Sequence, residues 1–94
     1  MAQREVQVLQ SSLFARAYKK LHKKQKAEVD EVIELIKQDP YCGEIKKGDL
    51  SGVYVYKFKL SNQLTLIAYE FDPKTRMLLL LGSHENFYQR LKRS

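Results

Sequence analysis

The stretch Val53-Tyr54-Val55-Tyr56-Lys57-Phe58-Lys59-Leu60 alternates residue by residue. In an extended chain Tyr54, Tyr56, Phe58 and Leu60 fall on one side, and Val53, Val55, Lys57 and Lys59 on the other. A period of two predicts a β-strand whose aromatic side packs on a core. Ser61-Asn62-Gln63 then reads as a short turn, and 64–71 is almost wholly apolar, as a central strand covered on both faces would be. Asp72-Pro73-Lys74-Thr75 has turn chemistry, and 76–81 is a further buried strand closed by Gly82-Ser83. Three strands joined by such short turns predict an antiparallel meander.

Upstream of the meander the period changes. Glu5-Val6-Gln7-Val8-Leu9 places Val6 and Val8 on one face of a short strand. Ser11 and Ser12 offer hydroxyls for a helix N-cap. Phe14, Ala17, Tyr18 and Leu21 follow at helical spacing, with Arg16, Lys19, Lys20 and Lys23 on the opposite side. His22-Lys23-Lys24-Gln25 is expected to carry a bend. Val29, Val32, Ile33 and Ile36 mark a second helix, which Asp39-Pro40 ends, because proline disfavours helical geometry in the residue before it. The stretch 40–52 holds three glycines and reads as a loop. The tail 84–94 suits a short helix with Phe87, Tyr88 and Leu91 facing inward. The expected architecture is one α+β domain over 1–94: strand, two helices packed on one face of a small antiparallel sheet, three-strand meander, terminal helix.

The chain has 94 residues, of which 44% are hydrophobic, enough for one core and one domain. No apolar run approaches the ~20 residues that span a bilayer, so no membrane role is expected. The first residues lack the apolar segment of a secretory signal, and the single cysteine, Cys42, excludes an internal disulfide. A reducing cytoplasm is the natural setting. Seventeen basic against eleven acidic residues leave a net charge of +6, which favours a polyanionic partner. The cations are grouped: Arg16 with Lys19, Lys20, Lys23, Lys24 and Lys26; Lys46 with Lys47; Lys57 with Lys59; Arg90 with Lys92 and Arg93.

Several chemistries drop out. Gly43, Gly48 and Gly52 lack the spacing of phosphate-binding loops, no Gly-x-Ser-x-Gly elbow exists, and two histidines are too few for most zinc sites. No cofactor is expected. What remains is cations, tyrosines and His84, which follows the last core strand, at a rim where scaffolds display working groups. A helical turn there would put His84 and Tyr88 at i and i+4, on one face. Lys57 and Lys59 stand ~6–7 Å apart on one side of their strand. Two ammonium groups can stabilise a phosphate, and an imidazole can exchange a proton near neutral pH. These parts suit metal-free RNA cleavage, provided the lysine face meets the strand end. Each also has a plainer place: Lys57 and Lys59 on a wet strand face, His84 in solvent, Tyr88 and Phe87 in packing, the 16–26 block on a solvated helix face, Cys42 incidental.

The order of elements, together with Lys47-Gly48-Asp49-Leu50-Ser51-Gly52-Val53-Tyr54, Tyr56-Lys57-Phe58-Lys59-Leu60, Ala68-Tyr69-Glu70 and Leu81-Gly82-Ser83-His84, resembles the RelE/ParE superfamily of toxins from bacterial type II toxin–antitoxin modules. Within it, RelE-type toxins cut messenger RNA in the ribosomal A site without a metal, and ParE-type toxins poison DNA gyrase. The resemblance implies an mRNA endoribonuclease in the bacterial cytoplasm, with a cognate antitoxin, the ribosome and mRNA as partners. It implies catalytic roles for His84, Lys57, Lys59 and Tyr88, with His84 and Tyr88 matching the YafQ branch. Lys19, Lys20, Lys23, Lys24, Lys46, Lys47, Arg76 and Arg90 are then the candidate RNA and ribosome contacts. Asp49 falls near a YafQ-branch histidine. Leu66 stands where RelE has an arginine that bears on the phosphate, with Arg76 or the Arg90 tail as the available substitutes. The alternative within the superfamily is gyrase inhibition by protein contact.

Overall fold

The computed structural model describes residues 6–46, 52–85 and 87–93, with the backbone alone for 92 and 93. Lys47 and Asp49 lie outside the described residues. The alternating stretch forms β3 (Tyr54–Leu60), followed by β4 (Gln63–Phe71) and β5 (Thr75–Ser83), an antiparallel meander. The turn from β3 to β4 has both Ser61 (φ 51°) and Asn62 (φ 67°) in the left-handed region, as a two-residue hairpin loop that matches strand twist requires. Asp72 shapes the next turn: its Oδ1 accepts from the Lys74 and Thr75 amides, both at 2.8 Å.

Two strands extend the meander to an order β1-β5-β4-β3-β2. The edge strand β1 (Gln7–Gln10) pairs with β5 in parallel, so the sheet is mixed where a wholly antiparallel one was expected. The expected 40–52 loop contains a 3-10 turn (Pro40–Cys42) and a two-residue strand, β2 (Glu44–Ile45), on the outer edge of β3.

Helices α1 (Ser12–Lys19) and α2 (Lys23–Gln38) cover one face of the sheet. Ser11 caps α1 by accepting from the Phe14 amide at 3.1 Å, while its hydroxyl donates to the Leu79 carbonyl at 2.6 Å. The bend between the helices is shorter than expected, because Lys23 already begins α2. Phe14, Val29 and Ile36 from the helices meet Ile67, Tyr69, Leu78 and Leu81 from the strands, and each such buried side chain contributes roughly 1.5–3 kcal/mol. The opposite face carries the short helix α3 (Phe87–Arg93), whose Phe87 and Leu91 pack on Val53, Val55, Leu66, Ala68 and Leu80.

One irregularity decides which side chains reach which face. Ala68 pairs with Leu80 and Tyr69 with Leu78, leaving Leu79 as an extra residue in β5. Strict alternation back from Gly82 would put Arg76 on the α3 face. The bulge reverses the phase and turns Arg76 to the helical layer.

Candidate functional site

The register aligns the functional candidates in two rows on the α3 face. Lys57 pairs with Leu66, and Leu66 with Gly82. One step toward the β3–β4 turn, Lys59 pairs with Leu64, whose carbonyl accepts from the His84 amide at 3.3 Å. Two strand spacings therefore separate Lys59 from His84, about 10 Å between Cα atoms. The floor is apolar: Leu66 is fully buried and Leu64 is 38% exposed. Lys57, Lys59 and His84 are exposed around it.

Helix α3 forms the wall on the side of the first row. Arg90 reaches down from it, its Nη1 lying 3.7 Å from where a Cβ on Gly82 would be. Tyr88 takes a different direction. α3 begins at Phe87, after a bend at His84, so His84 and Tyr88 are not paired along a helix as the i, i+4 reading expects. The Tyr88 ring packs edge-on to Phe87 and lies 5.2 Å beneath the Lys46 ammonium. Lys46 is bound in turn to Glu44 at 2.8 Å, an ion pair that raises the Lys46 pKa.

Glu44 is the group that sequence reasoning missed, since nothing in a glycine-flanked stretch marks it as a strand residue. It pairs with Val55, next along from Lys57, and lines with Lys57, Val55, Tyr56 and Cys42 a depression of about 240 Å³. The Lys46 hydrogen bond first, then the charges of Lys46 and Lys57, hold its carboxyl below the usual carboxylate range. The Cys42 thiol is pushed up by burial, with the Tyr69 hydroxyl 3.9 Å away. A thiol raised in this way is a poor nucleophile.

The remaining cations divide. Lys19, Lys20, Lys23 and Lys24 are exposed at the joint of α1 and α2. That joint is tied to the β3–β4 turn by a 3.3 Å hydrogen bond from Gln25 to Ser61, which brings the block to the same end of the molecule as Lys59 and His84. Arg76 does not join them. It is 6% exposed on the other face. Its guanidinium donates to the Ile36 and Lys37 carbonyls at the end of α2, at 3.3 and 3.1 Å, and to Asp72 and Thr75 at 2.7 and 3.0 Å. The sequence reading of Arg76 as an RNA contact is therefore corrected: it satisfies helix C-terminal carbonyls that would otherwise lack partners.

An apolar floor bordered by cations and one exposed imidazole can hold a phosphodiester and exchange protons with it. Among the described residues the one ion pair is that of Lys46 and Glu44, so no carboxylate is bound to Lys57, Lys59 or Arg90.

Residues 8–92 match the family model for ParE-like toxins of type II bacterial toxin–antitoxin systems. No curated protein sequence matches the chain. Among solved structures, the chain is similar to a mutant of the Escherichia coli toxin RelE in the free state, with a TM-score of 0.73 at 14% identity over 95% of this chain and 96% of that one. It is similar to a RelBE toxin–antitoxin complex from Mycobacterium tuberculosis, with a TM-score of 0.71 at 18% identity over 85% and 99%. A YoeB/ParE toxin from Agrobacterium tumefaciens gives a TM-score of 0.67 at 14% identity over 84% and 99%. The α+β fold is the one these structures share with the chain.

Proposed function

The chain belongs to the ParE-like toxin family of type II bacterial toxin–antitoxin systems, and on that premise we propose that it is a ribosome-dependent mRNA endoribonuclease of the bacterial cytoplasm. The observation that carries this reading is the row Lys59–Leu64–His84, beside Lys57 one step away. The RNA 2′-oxygen attacks the adjacent phosphorus and loses its proton to a base, the bond to the 5′-oxygen breaks, and an acid protonates the departing oxygen. His84 is assigned one of these two proton transfers. Lys57 and Lys59 stabilise the charge that builds on the pentacoordinate phosphorus. Tyr88, whose ring lies beneath the Lys46 ammonium, is assigned the stacking of a flanking base. Lys19, Lys20, Lys23 and Lys24 hold ribosomal RNA through their charge, which makes binding salt-dependent.

A cognate antitoxin is the expected regulator, in keeping with the toxin–antitoxin complexes among the structural neighbours. Covering the cationic face with an acidic segment would block both phosphate and ribosome. The match to a ParE-like model favours a second reading, inhibition of DNA gyrase by protein contact. The fold serves both.

The test adds purified protein to a translating bacterial extract and, separately, to gyrase supercoiling. New mRNA 5′ ends at ribosome-bound codons, with supercoiling unaffected, are the expected result. Inhibited supercoiling with intact mRNA would overturn the nuclease reading in favour of the second.

A further inference from the structure

The two edges of the sheet are unlike. β2 is two residues long, and the charged Glu44 and Lys46 flank its Ile45; short length and charge both keep an edge from pairing with another chain. β1 has no such protection. Its residues Gln7-Val8-Leu9-Gln10 carry no charge and no proline, and their register with β5 is unbroken. Val8 is 37% exposed and Leu9 48%. The amides of Gln7 and Ser11 donate to the Lys74 and Leu78 carbonyls, both at 2.9 Å. In a parallel ladder alternate residues of a strand bond to the same neighbour. Gln7 and Leu9 therefore bond toward β5, while Val8 and Gln10 turn their N–H and C=O groups outward, where no strand lies among the described residues.

The occupant that fits is a second copy. The chain carries a net charge of +6, yet none of its charges lies on β1, so this edge offers an acidic segment nothing and suits another uncharged strand. An antiparallel pair about a two-fold axis at Val8 lets each Val8 exchange two hydrogen bonds with its counterpart, and pairs Val6 with Gln10 on either side. The two β3 strands, which carry Lys57 and Lys59, then lie seven strand spacings apart, about 34 Å. That is several screening lengths of ~8 Å, so the lysine rows do not repel each other. We propose that β1 is a self-association edge, through which two copies of this chain pair over residues 6–10 into one ten-stranded sheet that leaves both lysine faces open on the same side. The dimer goes beyond the nuclease reading and does not depend on it. So short a paired segment buries less than the ~1,200 Å² of a stable interface, so the dimer is weak and reversible.

The test is sedimentation equilibrium on the full chain from about 10 μM to about 1 mM, the range in which so small an interface should fill. The mass should rise from one copy toward two. Val8→Pro removes the outward amide and leaves the β1–β5 bonds in place, as proline does on an edge strand. It should keep the parental Tm and raise the dimer dissociation constant roughly 10-fold or more, because two symmetry-related hydrogen bonds are lost. Val8→Lys sets two ammonium groups across the axis and should weaken the dimer likewise, with partial recovery at high salt. Hydrogen exchange on the parent needs no variant: the Val8 and Gln10 amides should slow as concentration rises, while the Leu9 amide is unaffected. A parent with the mass of one copy at the highest concentration would overturn the proposal. So would a dimer that survives both substitutions unchanged, or one whose Val8 and Gln10 amides exchange at the same rate at every concentration.

Discussion

Lys59 and His84 stand opposite the same residue, Leu64, from the two sides of β4. An ammonium and an imidazole about 10 Å apart at Cα can reach one phosphodiester from both sides, because a lysine side chain extends roughly 6 Å. The proposed division of labour separates their effects. His84→Gln removes proton transfer and should slow mRNA cleavage by roughly 10²–10⁴-fold with little change in Tm, since the residue is exposed. Lys59→Gln should also reduce the salt dependence of RNA binding, by about 0.7 in the slope of log K against log salt, because one phosphate fewer is neutralised. Primer extension on translated mRNA and binding at several salt concentrations measure the two. Cleavage by His84→Gln at the parental rate would remove the imidazole from the mechanism.

Arg76 should behave in the opposite way. Arg76→Met keeps most of the side-chain volume but takes the guanidinium from four carbonyls; those of Asp72 and Thr75 still accept from each other's amides, whereas those of Ile36 and Lys37 at the end of α2 lose it. Leaving buried acceptors without partners costs about 1–3 kcal/mol. For a domain of this size that lowers Tm by roughly 10 °C. RNA cleavage per folded molecule should stay unchanged below the new melting point. A loss of RNA affinity with unaltered Tm would return Arg76 to the binding surface.

What the sequence made legible follows from how strongly each segment sorts its residues. β3 was readable because aromatics and lysines alternate, and the same alternation put Lys57 and Lys59 on one side. β4 was readable because both its faces are buried. The slip at Leu79 left no trace, since Met77-Leu78-Leu79-Leu80-Leu81 is apolar at both parities and either phase looks alike. The position of Arg76 was hidden for that reason. β2 is two residues long and owes its geometry to β3, so local composition reads as loop. The nearness of His84 to Lys59 depends on cross-strand register, and that of Arg90 to Gly82 on where α3 docks, and neither is a local property.

Acid should weaken the turn between β4 and β5. The amides of Lys74 and Thr75 bond the ionised Asp72 and hold its carboxyl below the usual range, the Lys74 bond being the largest cause. A carboxyl depressed in the folded state stabilises fully above its unfolded pKa, about 3.9, and loses that contribution as pH falls through the folded value. Asp72→Ala should therefore lower Tm at pH 7 and flatten its decline below pH 4. Thermal melts of both proteins from pH 7 to pH 2 would show the curves converging. Parallel curves would mean that the turn does not depend on the ionised carboxylate.

The last prediction concerns the hydroxyl under the 3-10 turn. Tyr69 is fully buried; its Oη donates to the Pro40 carbonyl at 2.7 Å and accepts from the Gly43 amide at 3.0 Å. Burial pushes its pKa well above the ordinary phenol range. A raised acid of this kind stabilises fully below its unfolded pKa, about 10, and the contribution declines only as pH rises beyond it. Its phenol should resist alkaline titration at 295 nm until the protein unfolds. Tyr69→Phe leaves both backbone groups without partners and should cost about 1–3 kcal/mol. Gly43→Ala should be destabilising for a linked reason, because its Cβ would lie 2.6 Å from that oxygen. With phenylalanine at 69 the oxygen is gone, while the contacts with Tyr69 Cε1 and the Val55 carbonyl, both at 3.1 Å, persist in kind. The double variant should thus be more stable than the sum of the two single effects implies, by an amount that a denaturant-melt cycle resolves. Strict additivity would show that the hydroxyl does not set the space available at Gly43.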